Sequence, residues 1–100
     1  MAATWAGSTP YRSTKLVGAH FGGIRQPLAV SWPKGIRPDA TPRAQFHHVI
    51  DVVPTIYELA KIRPPQVVSG FPQDSIDGVS MAYAFADPKA PGRRTTQFFD

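Results

Sequence analysis

The stretch Leu28-Ala29-Val30-Ser31-Trp32, bracketed by Pro27 and Pro33, decides the fold reading. A run near five residues between two prolines suits a strand rather than a helix, because proline is tolerated at strand ends and breaks helix interiors. Its near-continuous apolarity, without strict alternation, predicts a strand covered on both faces, as in a parallel α/β sheet.

Outward from this run, Pro33 to Pro42 reads as a loop, with Pro33, Gly35, Pro38, Asp39 and Pro42 all breaking regular structure. The clearest helix follows. Val49, Val52 or Val53, Ile56, and Leu59 or Ala60 recur at three- and four-residue steps and make one apolar stripe. Asp51 suits the N-cap, with Pro54 then in the first turn, the alternative being a start near Phe46 with a kink at Pro54; Arg63-Pro64-Pro65 ends the element. Gln66 to Asp77 reads as a second loop, Gly78 to Ala86 as a short helix, and Thr95 to Phe99 as the start of another strand. On the other side of the deciding run, Ser8-Thr9-Pro10 signals a turn, and Gly22-Gly23 a sharp turn or a close backbone approach.

The 100 residues allow one compact domain at most. Hydrophobic residues at 42% against 18% charged exclude a disordered polyelectrolyte. Eleven prolines and eight glycines predict short elements joined by irregular loops. The absence of cysteine excludes disulfides, zinc knuckles and thiol nucleophiles within the chain. The net charge of +4 is modest, and only Arg93 and Arg94 adjoin among the basic residues, so no nucleic-acid partner is expected. No apolar run is long enough to span a membrane, and the first residues lack a signal-peptide pattern, which favours a cytoplasmic location while leaving the compartment open. A chain with one strong strand and a terminal apolar run reads as a partial domain over residues 1–100, a segment of a larger α/β protein.

Three stretches in order resemble the sulfatase family, and bacterial arylsulfatases in particular. The first runs from Lys15 through His20-Phe21-Gly22-Gly23-Ile24-Arg25 to Trp32-Pro33, similar to a lysine, a Gly-Gly-x-Arg turn and a strand ending in Trp-Pro. The second, His48-Val49-Ile50-Asp51-Val52-Val53-Pro54-Thr55, is similar to a His-x-x-Asp-x-x-Pro-Thr helix start. The third, Asp77-Gly78-Val79-Ser80, is similar to an Asp-Gly-x-Ser turn before a short helix. The resemblance runs from about Trp5 to the last residue. It implies the later part of a catalytic domain with the alkaline-phosphatase-like α/β fold, a mixed sheet flanked by helices.

The resemblance further implies hydrolysis of a small-molecule sulfate ester by a formylglycine nucleophile beside a divalent cation, usually Ca2+. The nucleophile motif and the Asp-Asn metal pair are absent from the sequence, so the chain alone is expected to be inactive. Lys15 carries over as the sulfate-contacting lysine, one residue further from the Gly-Gly pair than in many sulfatases. Fixed cationic donors suit this chemistry because their stabilisation of a developing anion is strong away from bulk water. His20 is the second candidate, a donor to the leaving oxygen, although Phe21 stands where an acidic residue is common. Arg25 is expected to pair with a carboxylate from outside the segment. His47 and His48, being adjacent and without a third ligand, read as structural. The other function classes are a non-catalytic remnant or interaction module, and a phosphate- or phosphonate-ester hydrolase on the same fold. The oligomeric state is left open.

Overall fold

The computed structural model describes residues 6–98, which fall in two units, Met1–Trp32 and Pro33–Asp100. In the first unit the Thr9–Pro10 peptide is cis, and the turn around it closes by donation from the Tyr11 N–H to the Ser8 carbonyl at 2.8 Å. Two further turns follow, Val17 N–H to Thr14 O at 3.2 Å and His20 N–H to Val17 O at 3.3 Å. They lead into a four-residue helix α1, Phe21–Ile24. The Gly22 N–H donates back to the Arg12 carbonyl at 3.0 Å, and the Ser8 hydroxyl to the Gly22 carbonyl at 3.2 Å, so the segment is tied into a knot. The glycine pair is required here. A Cβ on Gly22 would overlap the Arg12 and Ser13 carbonyls, and one on Gly23 the Val17 carbonyl.

Leu28 to Trp32 forms no strand. The run is irregular and exposed, with Leu28 61% and Val30 47% accessible. A strand is held by a neighbouring row of N–H and C=O groups. Among the described residues the ladder is confined to a two-stranded sheet in the other unit. Residues 95–98 are likewise irregular, and Phe99 lies outside the described residues.

The second unit is built around the expected helix. It starts one turn early, as a 3-10 turn Val49–Asp51 that continues into α2, Val52–Ala60. Asp51 holds the N-cap position of α2, as expected, but its side chain makes no cap bond there, and His48 caps the 3-10 turn. Its ring accepts from the Ile50 N–H at 3.5 Å while the Asp51 carboxylate accepts from the His48 N–H at 2.9 Å, a capping box in which His and Asp replace the usual Ser and Glu. Pro54 sits early in the element, where its missing N–H is not needed. The helix ends before the prolines, at Lys61, which is left-handed (φ 56°). The N–H groups of Lys61 and Ile62 return to the carbonyls of Glu58 and Tyr57 at 3.1 and 3.0 Å, a Schellman closure.

The second loop contains a hairpin that the sequence reading missed: β1 (Val67–Val68) pairs antiparallel with β2 (Phe71–Pro72). Ser69 and Gly70 join them with φ of 52° and 85°, the two positive angles of a type I′ turn. A last short helix α3, Tyr83–Ala86, falls inside the expected segment. Arg43 caps its end by donating to the carbonyls of Ala84 (3.0 Å) and Phe85 (3.3 Å).

The buried centre is polar. Among the described residues the buried apolar side chains are Met81 and Ala84, and they lie with Asp51 and Thr55. The apolar stripe of α2 does not face inward: Val53 is 51% and Ile56 59% exposed, while Asp51 and Thr55 occupy the covered side.

Candidate functional site

The two site residues suggested by the sequence lie in the first unit, on the outside of its knot. Lys15 is at the crown of the loop 12–17 that folds onto Gly22 and Gly23, and His20 opens α1 from the following turn. Both side chains are exposed. The backbone around Lys15 is strained. Ser13 and Leu16 have φ of 66° and 77°, and each left-handed non-glycine residue costs about 1–2 kcal/mol. Leu16 is 93% exposed, so no burial of its own side chain offsets that cost. The loop is held in place by contacts of Gly22 and Gly23. Such strain, maintained by its surroundings, is a feature of binding loops.

Arg25 lies over aromatic rings. Its guanidinium carbon is 5.0 Å from the Phe21 ring centre and 5.7 Å from that of Tyr11, and the two rings meet edge to face at 5.8 Å. The cation is thereby oriented within its own unit.

The other two motifs of the resemblance meet in the second unit. Asp51 is fully buried and accepts four hydrogen bonds. Oδ2 receives the His48 N–H and Arg94 Nε, each at 2.9 Å. Oδ1 receives the Val79 N–H at 2.7 Å and Arg94 Nη2. The Thr55 hydroxyl donates to the Asp51 carbonyl at 2.6 Å and accepts from the Met81 N–H at 2.9 Å. Gly78 is packed against the helix start, where a Cβ would overlap the Ile50 carbonyl oxygen and stand 2.9 Å from Pro54 Cγ. The helix-start motif and the Asp-Gly-x-Ser turn are therefore one hydrogen-bonded body.

The electrostatics follow from these bonds. Burial pushes the Asp51 carboxyl up, but the Arg94 guanidinium and the two backbone N–H donors outweigh it and hold it at about 2. The same pairing raises Arg94. His47 packs its ring on Tyr83, 5.9 Å between centres, and burial lowers its pKa below 6.5. Asp51 opposes that shift and Arg94 adds to it. Arg93 covers Tyr83 at 4.5 Å. At the surface the Thr41 hydroxyl and N–H, with Arg43, hold Asp39 at about 2.

This second body works as a structural lock. The Asp51 carboxylate is consumed by donors, and among the described residues no group of three or more His, Cys, Asp or Glu converges to hold a metal. An open groove lined by Ile36, Leu59, Ala82 and Phe85 passes Arg37 and Asp39 at its rim. Among the described residues no helix is long and apolar enough to cross a membrane.

Sequence reasoning did not find Arg94 as the partner of Asp51. A signal existed, since an aspartate inside an apolar helix start needs a cation to be buried. It also passed over the order of the charges: five basic residues, Arg12, Lys15, Arg25, Lys34 and Arg37, precede the first acidic one, Asp39. No family model, no curated protein and no solved structure matches the chain.

Proposed function

We propose that the chain is part of a sulfuric ester hydrolase with the alkaline-phosphatase-like α/β fold, acting on sulfate esters of small molecules. The observation that carries this reading is the ordered set of three motifs, two of which meet through Asp51, Val79 and Gly78. The strained, glycine-supported loop that presents Lys15 is consistent with a binding role. Lys15 would donate to the sulfuryl oxygens, where a fixed cation stabilises the charge that develops as the ester S–O bond breaks. His20 would pass a proton to the departing alcohol oxygen, leaving sulfate as the other product once water has added. The nucleophile and the Ca2+ ligands belong to residues outside these 100.

The test is the coding sequence on either side of this segment. It should encode a Cys/Ser-x-Pro/Ala-x-Arg motif, and the longer protein should release 4-nitrophenol from its sulfate ester. Lys15→Ala in that protein should lower kcat about 10²–10³-fold, the scale of losing one oxyanion donor. His20→Ala should slow esters of poor leaving groups more than the nitrophenyl ester. A longer protein without the motif and without turnover would leave an inert module on this fold.

A further inference from the structure

The second unit carries a groove that the Asp51 lock does not use. Its floor is apolar. Ile36 comes from the loop Pro33–Pro38, Leu59 from the far end of α2, and Ala82 and Phe85 from the start and body of α3, all four half-buried. The cavity measures about 610 Å³, a size that suits a small organic molecule. A second hollow of about 250 Å³ lies on the same loop and shares residues 35–38 with the first.

The two walls are tied together within the chain. On the α3 side Arg43 donates to the Ala84 and Phe85 carbonyls at 3.0 and 3.3 Å. On the loop side it pairs with Asp39 Oδ2 at 2.9 Å and donates to the Thr41 carbonyl. Pro33 and Pro38 restrict the loop at both ends. Walls set in this way lower the ordering entropy that a ligand must offset.

Charge selects the occupant. Asp39 is the acidic residue of the lining, and its carboxylate is already taken by Arg43 and by the Thr41 N–H at 2.8 Å. Arg37 also lines the groove, and among the described residues its side chain has neither a hydrogen bond nor an ion pair. The lining therefore presents one uncompensated positive charge beside an apolar floor. One cation matches one negative charge. A planar guanidinium matches two oxygens in a plane, which a carboxylate offers.

We infer that this groove binds a small amphipathic carboxylate, with its apolar body on Ile36, Leu59 and Phe85 and its carboxylate on Arg37. The inference goes beyond the hydrolase reading and does not depend on it. Neither Lys15 nor His20 takes part, and no bond is broken.

Naphthaleneacetate is the probe and naphthaleneacetamide its neutral twin. Each is titrated into the isotope-labelled 100-residue chain and followed by amide NMR. The amides of Ile36, Arg37, Leu59, Ala82 and Phe85 should move with one saturable midpoint. The acid should bind at least about tenfold more tightly than the amide, the scale of a hydrogen bond to a charged group. Arg37→Gln should bring the acid to the affinity of the amide and leave the amide unchanged. Lys89→Gln, at an exposed cation outside the lining, should change neither. Ile36→Ser should weaken both ligands alike. Arg37 is exposed and unpartnered, so its variant tests the site without disturbing a packed side chain.

Equal affinities for acid and amide in the unaltered chain would leave an unselective apolar surface and overturn the inference. Equal losses in Arg37→Gln and Lys89→Gln would reduce the preference to net charge, with the same result. Shifts centred on Val53 and Ile56, on the exposed stripe of α2, would place the ligand elsewhere and overturn it. Shifts of the groove amides on raising the protein concentration without ligand would seat a second copy there instead. Absence of a saturable shift at millimolar acid would remove the site.

Discussion

Arg94 closes on Asp51 from 43 residues away, its Nε on one carboxylate oxygen and its Nη2 on the other. The Arg94 side chain is 8% exposed and that of Asp51 0%. The pair ties the start of α2 to the C-terminal stretch, and Val79 brings in the turn before α3. Three segments distant in sequence thus share one carboxylate. A unit whose covered apolar residues are so few depends on such a clamp.

Removing either partner strands the other charge, which costs about 3–5 kcal/mol at a buried pair. Asp51→Ala and Arg94→Ala should each abolish or strongly shift the urea transition followed by circular dichroism. The double variant should cost less than the sum of the two, because neither leaves an unpaired charge behind. Additive losses would mean that the pair does not act as a unit.

The same pair sets the acid limit. The Asp51 carboxyl is held at about 2 against 3.8 unfolded, so its contribution is fully present above 3.8 and disappears as pH falls from there toward 2. His47 acts higher. Its folded pKa lies below 6.5, so the unfolded chain binds the proton more readily, and stability is lost as pH drops below 6.5. Melting temperature against pH should therefore fall in two steps. His47→Phe, which keeps a ring against Tyr83, should remove the upper step and spare the lower. The His47 ring protons should titrate in NMR with a midpoint below 6.5.

Glycine positions separate by what surrounds them. Gly22→Ala places a methyl into the Arg12 and Ser13 carbonyls, and Gly78→Ala places one into the Ile50 carbonyl, where backbone must move. Overpacking of this kind costs about 1–3 kcal/mol or more. Gly18→Ala meets nothing within 4 Å and should be neutral within about 0.5 kcal/mol. Amide NMR spectra of the three variants check this: wide shifts for the first two and local ones for Gly18→Ala. A wide change in Gly18→Ala would refute the assignment.

What the sequence made legible follows the range of the interactions involved. The α2 helix was readable because its signals, a three-to-four period and Pro54 near the start, are local. The Gly22-Gly23 pair was readable as a close approach for the same reason, although not which strand of chain approaches. The Ser69-Gly70 turn was a local signal that went unread between short apolar pairs. Leu28 to Trp32 misled because apolarity marks what a residue would bury, and pairing depends on partners the run itself does not specify. The N-cap position of Asp51 is legible from its neighbours in sequence, whereas its main partner, Arg94, comes from 43 residues away and leaves no local signal.

The stripe on α2 gives the sharpest contrast between pattern and packing. Periodicity alone marks Val53 and Ile56 as core positions, where truncating isoleucine to alanine costs about 2–5 kcal/mol. With the two side chains half exposed, Ile56→Ala and Val53→Ala in the 100-residue chain should each cost under about 1 kcal/mol. Thr55→Val should cost more than either. It keeps the shape of the side chain but removes the hydroxyl that donates to Asp51 and accepts from Met81, leaving a buried N–H without its acceptor, a loss of about 1–3 kcal/mol. Urea midpoints of the three variants rank the two faces directly. If Ile56→Ala proves the most damaging, the apolar stripe is packed after all and the polar face is not what holds α2 in place.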